Sequence, residues 1–277
     1  PFRLARGRAG LFGGGRMTTI RLLWVFFRVG VMGELAYRVN FLVRLFQSLL
    51  ELGTALGGLA VVFSYTDTLG GWRPDEVIAL VGVYSLVGGV IRLIVQPSME
   101  RLIESVHEGT LDFTLTKPVD AQLLVSVQGV EIWEVFDILL GFGVLVVALL
   151  RLGENVGPWE AGAFAVMLLA GGAIVYSFWL ILATTSFWFV RVENVLMIFQ
   201  SMYEAGRWPI SLYPGWLRFG LTFLVPVAFA TTVPAEALTG RLNAQTLLGA
   251  LALAVALLVA SRLFWRVAIR HYSGASA

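Results

Sequence analysis

Ionisable side chains embedded in apolar sequence are the first candidates for chemistry in this chain. Glu51 stands in the middle of the run RLFQSLLELGTALGGLAVVF, and Glu131, Glu134 and Asp137 open another. The last three are spaced by three residues, which places them on roughly one face of a helix. A charge in hydrocarbon costs about 3 kcal/mol or more, so each of these acids marks either an interhelical partner or a transport pathway. Arg191 with Glu193, and Glu204 with Arg207, have the spacing of structural pairs near span ends. His107 and Asp112 are spaced so that an aspartate could orient a histidine base. There is no cysteine, which excludes disulfides, thiolate metal sites and Cys nucleophiles. The two histidines, His107 and His271, lie far apart, so no metal site is expected. No G-x-S-x-G elbow is present. The single lysine, Lys117, sits between Thr116 and Pro118, so the chain has no P-loop lysine to grip a nucleotide.

The elements that must position these groups belong to a membrane. Of the 277 residues, 58% are hydrophobic and 14% charged, against about 45–50% and about 25% in soluble domains. The apolar residues come in runs of about twenty, the length a helix needs to cross about 30 Å of hydrocarbon. The pattern predicts an all-α polytopic membrane protein with six transmembrane helices. Four spans fall near 42–65, 77–97, 128–150 and 245–265. Two antiparallel spans share the apolar stretch from Ala161 to Tyr203, with a turn between Thr184 and Asn194. Residues 209–240, broken by Pro226 and Pro234, read as an outer re-entrant helical region, because irregular backbone is tolerated where protein buries it. Residues 18–40 pattern as an N-terminal interfacial helix. Ile20, Leu23, Trp24, Phe27 and Val31 make its apolar face, and Arg21 and Arg28 sit one heptad apart. Residues 1–17 are set aside as a disordered or artefactual N-terminus, 18–270 as a single transmembrane domain, and 271–277 as a tail. With both termini in the cytoplasm, only Arg73, Arg151, Arg207, Arg218 and Arg241 of the twenty Lys and Arg fall outside, which satisfies the positive-inside rule. A seventh span would place the arginine-rich tail outside.

The inner stretch 98–122, SMERLIESVHEGTLDFTLTKPVDAQ, carries the most information. Met99, Leu102, Ile103 and Val106 recur at helical spacing, while Glu100, Arg101, Glu104 and Glu108 take the other face, and Gly109 is placed to stop the helix. Leu111, Phe113 and Leu115 alternate with polar residues, which predicts an extended segment ended by Lys117-Pro118. Such an amphipathic element either packs on the protein's own inner ends or presses into a groove on a soluble partner.

This helix, followed by EGTLDFTLTKPVD, resembles the coupling-helix region of type-2 ABC transporter permeases. The likeness is strongest to a bacterial group labelled as uncharacterised transport system permease components, in which a G-T-L-D/E-F-x-L-x-K-P-V string matches Gly109 to Val119. Arg207, Pro209, Tyr213-Pro214, Trp216-Leu217, Pro226 and Pro234-Ala235 are similar to the same group's fifth span and re-entrant region. The resemblance implies a permease domain over 18–270 in the bacterial inner membrane. It implies a cytoplasmic coupling helix (Met99, Leu102, Ile103, Val106, Glu108, Gly109) gripped by a separate ABC ATPase, and a second permease, identical or a sister. No cofactor is bound by this chain; ATP and Mg belong to the ATPase. Export follows from the likeness alone, nucleic acid is not a partner, and the substrate fits a hydrophobic peptide, lipid or drug-like molecule. Glu51, Glu131, Glu134 and Asp137 are the pathway or interhelical candidates.

Two other classes make different demands. An ion-coupled secondary transporter would use the same four acids as proton sites, but no inverted repeat of broken helices is visible. A membrane acyltransferase would use His107 with Asp112, and would turn over substrate as an isolated chain.

Overall fold

The computed structural model describes residues 38–153, 156–189 and 193–272, and every regular element in them is helical. The N-terminal segment 1–17 and most of the expected interfacial helix fall outside these residues. Helix α1 is Arg38–Phe63. Helix α2 is Pro74–Val90, a π-helical turn covers Ile91–Val95, and α3 is Gln96–His107. Short helices α4 (Asp112–Leu115) and α5 (Ala121–Val125) follow. Helix α6 is Val135–Leu152, α7 is Pro158–Thr184 and α8 is Glu193–Glu204. The outer pieces are α9 (Gly215–Phe219), α10 (Val227–Ala230) and α11 (Thr232–Leu238); α12 (Ala244–His271) ends the fold.

Local chemistry sets the boundaries. Leu69 and Trp72 exchange backbone hydrogen bonds across Gly70 and Gly71, both at positive φ (59° and 84°), the backbone of a tight two-residue turn that only small residues adopt without strain. Pro74 then opens α2, where its missing N–H costs nothing, and the Arg73 backbone N–H donates to the Glu76 carboxylate at 2.7 Å. Helix α12 starts on Asn243, whose side chain accepts from the Thr246 N–H.

Among the described residues, five helices are long and apolar enough to cross a membrane: α1, the continuous Pro74–His107, α6 with its preceding turn, α7 and α12. Glycines bring two of them into contact. A Cβ on Gly141 of α6 would lie 2.5 Å from the Leu86 backbone nitrogen of α2, and one on Gly82 would lie 2.9 Å from the Leu145 nitrogen. In lipid, such close approach supplies the attraction that hydrophobicity cannot. Helix α7 carries the other side of the bundle, with α10–α12 packed on it: a Cβ on Gly171 would lie 2.3 Å from the Phe229 carbonyl oxygen. Helix α1 is loosely held, with Leu42, Phe46, Leu49 and Leu50 uncovered.

The stretch after α7 is built in pieces. Helix α8 packs antiparallel on α7, with Phe199 in ring contact with Phe178 and Trp179, so the turn falls between Thr184 and Asn194 as the sequence predicts. At 12 residues, about 18 Å, α8 is too short to span. It continues through 3-10 turns at Ala205–Arg207 and Ile210–Leu212, passing Tyr84 in mid-bundle and reaching Gly70, whose carbonyl accepts from Ser211 Oγ at 3.1 Å. From there the chain dips and returns. Gly215–Leu224 and Val227–Leu238 meet at 68° around Pro226, and Arg241 then donates to the Gly71 carbonyl at 2.7 Å and to Glu76 at 2.6 Å. Both ends of 211–241 are therefore tied to one turn. The helix ends at Arg38 and His271 lie on the same side as His107, termed the inner face.

The sequence reading of the inner segment needs two corrections. Pro97 does not break the helix; Pro74–His107 is a continuous run of 34 residues. The segment 111–116 is not extended. Thr114 and Leu115 N–H groups return to the Leu111 carbonyl, closing a helical turn that buries Leu111 and leaves Phe113 75% exposed. A five-residue alternation satisfies both patterns, since Leu111 and Leu115 also share a helical face.

Candidate functional site

The continuity of α2 into α3 rests on how Pro97 is accommodated. Proline has no N–H and its ring clashes with the carbonyl four residues back, here Leu93. The wider π-turn at Ile91–Val95 makes room, and the freed Leu93 carbonyl accepts from the Glu131 N–H at 2.9 Å. The loop ahead of α6 is thereby clamped on the bulge. Ser98 Oγ donates to the Gly129 carbonyl at 3.0 Å and accepts from the Gly129 N–H at 3.1 Å. Arg101 donates to the Gln128 carbonyl. A Cβ on Gly129 would sit 2.3 Å from the Pro97 carbonyl carbon, so only glycine admits this approach.

Immediately above the clamp lies an ion cluster. Glu134, 2% exposed, accepts from Arg44 of α1 and from Arg92 Nε at 2.7 Å; Arg92 also donates to Asp137. Two guanidiniums balance two carboxylates, so three helices are joined with no net charge in the apolar interior. Charge-assisted bonds of this kind are the strong ones. Beside it, a crevice between α1 and α2 is lined by Ser48, Glu51, Tyr84, Arg92, Asp137 and Arg207. Arg207 lies over the Tyr84 ring at 5.3 Å, and Tyr203 stacks on the same ring while its hydroxyl donates to the Tyr84 carbonyl at 3.1 Å. Glu51 is exposed on α1 at the mouth of this crevice.

The four candidate acids thus separate. Glu134 and Asp137 join, Glu51 borders them, and Glu131 points away. Glu131 has non-helical backbone (φ −109°, ψ 87°) because the helix begins only at Ile132, so the spacing argument does not apply to it. It lines an open groove of about 680 Å³ on the inner face, with Glu100, Glu104, His107, Leu196 and Met197. Arg44 and Arg92, which sequence reasoning counted only as inner positive charges, are the partners it missed. Their signal was two arginines just inside span ends, facing a third span that opens with acids.

The proposed coupling residues separate too. Met99, Leu102 and Ile103 are fully buried, and Val106 is half-buried against the same core. In this structure the apolar face of α3 packs on the protein itself and is not a free docking face. The polar face is exposed: Glu100, Arg101, Glu104, His107 and Glu108. Gly109, at φ 71°, ends the helix, with Thr110 N–H bonded to the Ser105 carbonyl at 2.9 Å and Gly109 N–H to that of Val106, a Schellman closure. Beyond it, Phe113 and Lys117 are exposed at the inner tip. Asp120 caps α5 through the Gln122 N–H at 3.0 Å and receives Arg262 of α12 at 2.9 Å. The Arg262 hydrogen bonds hold the Asp120 carboxyl below its usual range, burial opposing them. The inner tip is thus pinned to the last helix as well as to α2.

A model of the family described as ABC-2 family transporter protein matches residues 49–276 of the chain. None of the curated proteins matches it.

Proposed function

The chain belongs to the ABC-2 transporter family as a membrane permease, and from that premise we propose that it is the exporting half of a two-part machine driven by a separate cytoplasmic ATPase. The observation that carries the reading is the length and anchoring of Pro74–His107. Its 34 residues extend about 51 Å, well beyond about 30 Å of hydrocarbon. The surplus projects from the inner face as α3, capped at Gly109 and locked to α6 through Gly129. A push on the inner tip would travel along one unbroken helix to the outer turn at Gly70–Gly71. The docking surface in this proposal is the exposed side, Glu100, Glu104 and Glu108 with the Phe113 tip, while Met99, Leu102 and Ile103 keep that side in place. The inner face is then cytoplasmic, in keeping with the arginine bias.

A second permease, identical or a sister, covers the open face of α1 in this proposal. Glu51 lies midway along α1 where the crevice opens beside that face, and a carboxylate left in lipid there would cost a few kcal/mol. The pairing of Glu134 and Asp137 with arginines also argues against their use as proton sites, since both carboxylates are already engaged by guanidiniums.

Co-purification with the ATPase encoded beside this chain tests the proposal. Wild type is expected to co-elute with it; Phe113→Asp and Glu104→Lys together should abolish co-elution while the permease elutes unchanged alone. Leu102→Asp should instead lose the folded permease itself. A chain that never binds the ATPase, or binds it regardless of Phe113 and Glu104, sinks the coupling proposal.

A further inference from the structure

The outer half of the bundle holds a cleft of about 710 Å³ between the re-entrant pair and α12. Its walls are apolar: Phe223, Phe229, Val233 and Leu253 line it. Its outer end is polar, with Glu236, Asn243 and Thr246. Thr232 and Glu236 are four residues apart on α11, hence on one helical face, and both line the cleft. Thr232 is 1% exposed, yet its hydroxyl oxygen has no hydrogen-bond partner. A buried hydroxyl without a partner costs free energy unless something else fills its valence. The Glu236 carboxylate makes no ion pair among the described residues, because the nearby Arg241 is committed to Glu76 and the Gly71 carbonyl. The cleft therefore offers an acceptor carboxylate and a free hydroxyl at one end of an otherwise greasy slot.

That arrangement selects a ligand by chemistry. The ligand needs an apolar chain to cover Phe223, Phe229 and Leu253, and a headgroup that donates hydrogen bonds and carries positive charge. We propose that this cleft is a binding site for one amine-headed bilayer lipid, with its ammonium at Glu236 and Thr232 and an acyl chain along Val233 and Leu253. An anionic headgroup without donors would meet the Glu236 carboxylate instead and be disfavoured. The site depends only on the outer half of the bundle, so it stands or falls apart from the ATPase coupling.

The test uses the full chain in nanodiscs containing trace photoactivatable phosphatidylethanolamine or, separately, photoactivatable phosphatidylglycerol, with adducts mapped by mass spectrometry. Phosphatidylethanolamine is expected to label peptides containing Phe223, Val233 and Leu253 preferentially. Glu236→Gln should reduce that labelling about tenfold, the size of losing a charge-assisted hydrogen bond. Leu253→Trp, which fills the slot and leaves the headgroup end intact, should block it, with labelling elsewhere on the chain unchanged. Equal labelling by both lipids, or labelling indifferent to Glu236→Gln, would mean bulk lipid only and overturn the proposal. Absence of adducts at the cleft in wild type would overturn it too, because a second protein copy then covers the slot. The lipid comparison in wild type decides the matter even where a variant fails to fold.

Discussion

Glu134 holds two guanidiniums from two different helices, and its replacement isolates both. Glu134→Gln keeps the shape but leaves Arg44 and Arg92 facing each other with only Asp137 to share. Breaking a buried pair from one side costs about 3–5 kcal/mol, mostly for the charge left behind; because both arginines are partly accessible, about 2–3 kcal/mol is expected. Thermal unfolding of the purified chain should show it as a lower midpoint. An unchanged midpoint would mean that water already solvates these arginines. Glu51, with no such partner among the described residues, should tolerate Gln in the isolated chain at little cost. The identities of the acids were legible from their placement in apolar runs. Their partners were not, because an arginine near a span end reads equally well as a snorkelling side chain.

At the scale of elements, the contact between Gly129 and Pro97 leaves no room for a side chain. Gly129→Ala would drive a methyl into backbone atoms that have no rotamer to yield, so overpacking of about 1–3 kcal/mol is expected. The clamp between α3 and the loop before α6 should loosen with it. Hydrogen exchange would report this as faster exchange at the Gly129 and Glu131 amides, which now bond to Ser98 and Leu93; full retained protection would show the clamp to be incidental. Most spans could be placed from hydropathy, since α1, α6, α7 and α12 follow their apolar runs closely. The join between α2 and α3 could not. Proline normally ends or kinks a helix, and the π-turn that spares it depends on a loop thirty residues away in sequence. The apolar stripe of α3 was equally visible, but periodicity shows that a face is covered and not by what. Here the cover is the protein's own bundle.

The whole molecule is lopsided. One side of the bundle, α7 with α10–α12, is packed in depth, while α1 stands off with its outward face bare. The chain has no cysteine, so a single introduced thiol reports cleanly on what meets that face. Where the second permease is an identical chain, Leu50→Cys should form a disulfide-linked pair of chains in native membranes, whereas Leu169→Cys, on the exposed side of α7, should not. A Leu169→Cys cross-link in the absence of a Leu50→Cys one would move the partner to the opposite side of the bundle. Finally, residues 211 and 241 are moored to two adjacent carbonyls, Gly70 and Gly71, and everything between them starts and finishes at that mooring. The segment is in this sense an interchangeable part. A bridge of a few residues could close the gap it leaves without changing the order or direction of any crossing. Variation in length and character between 212 and 240 could therefore reshape the outer half of the protein while the rest of the frame stays as it is.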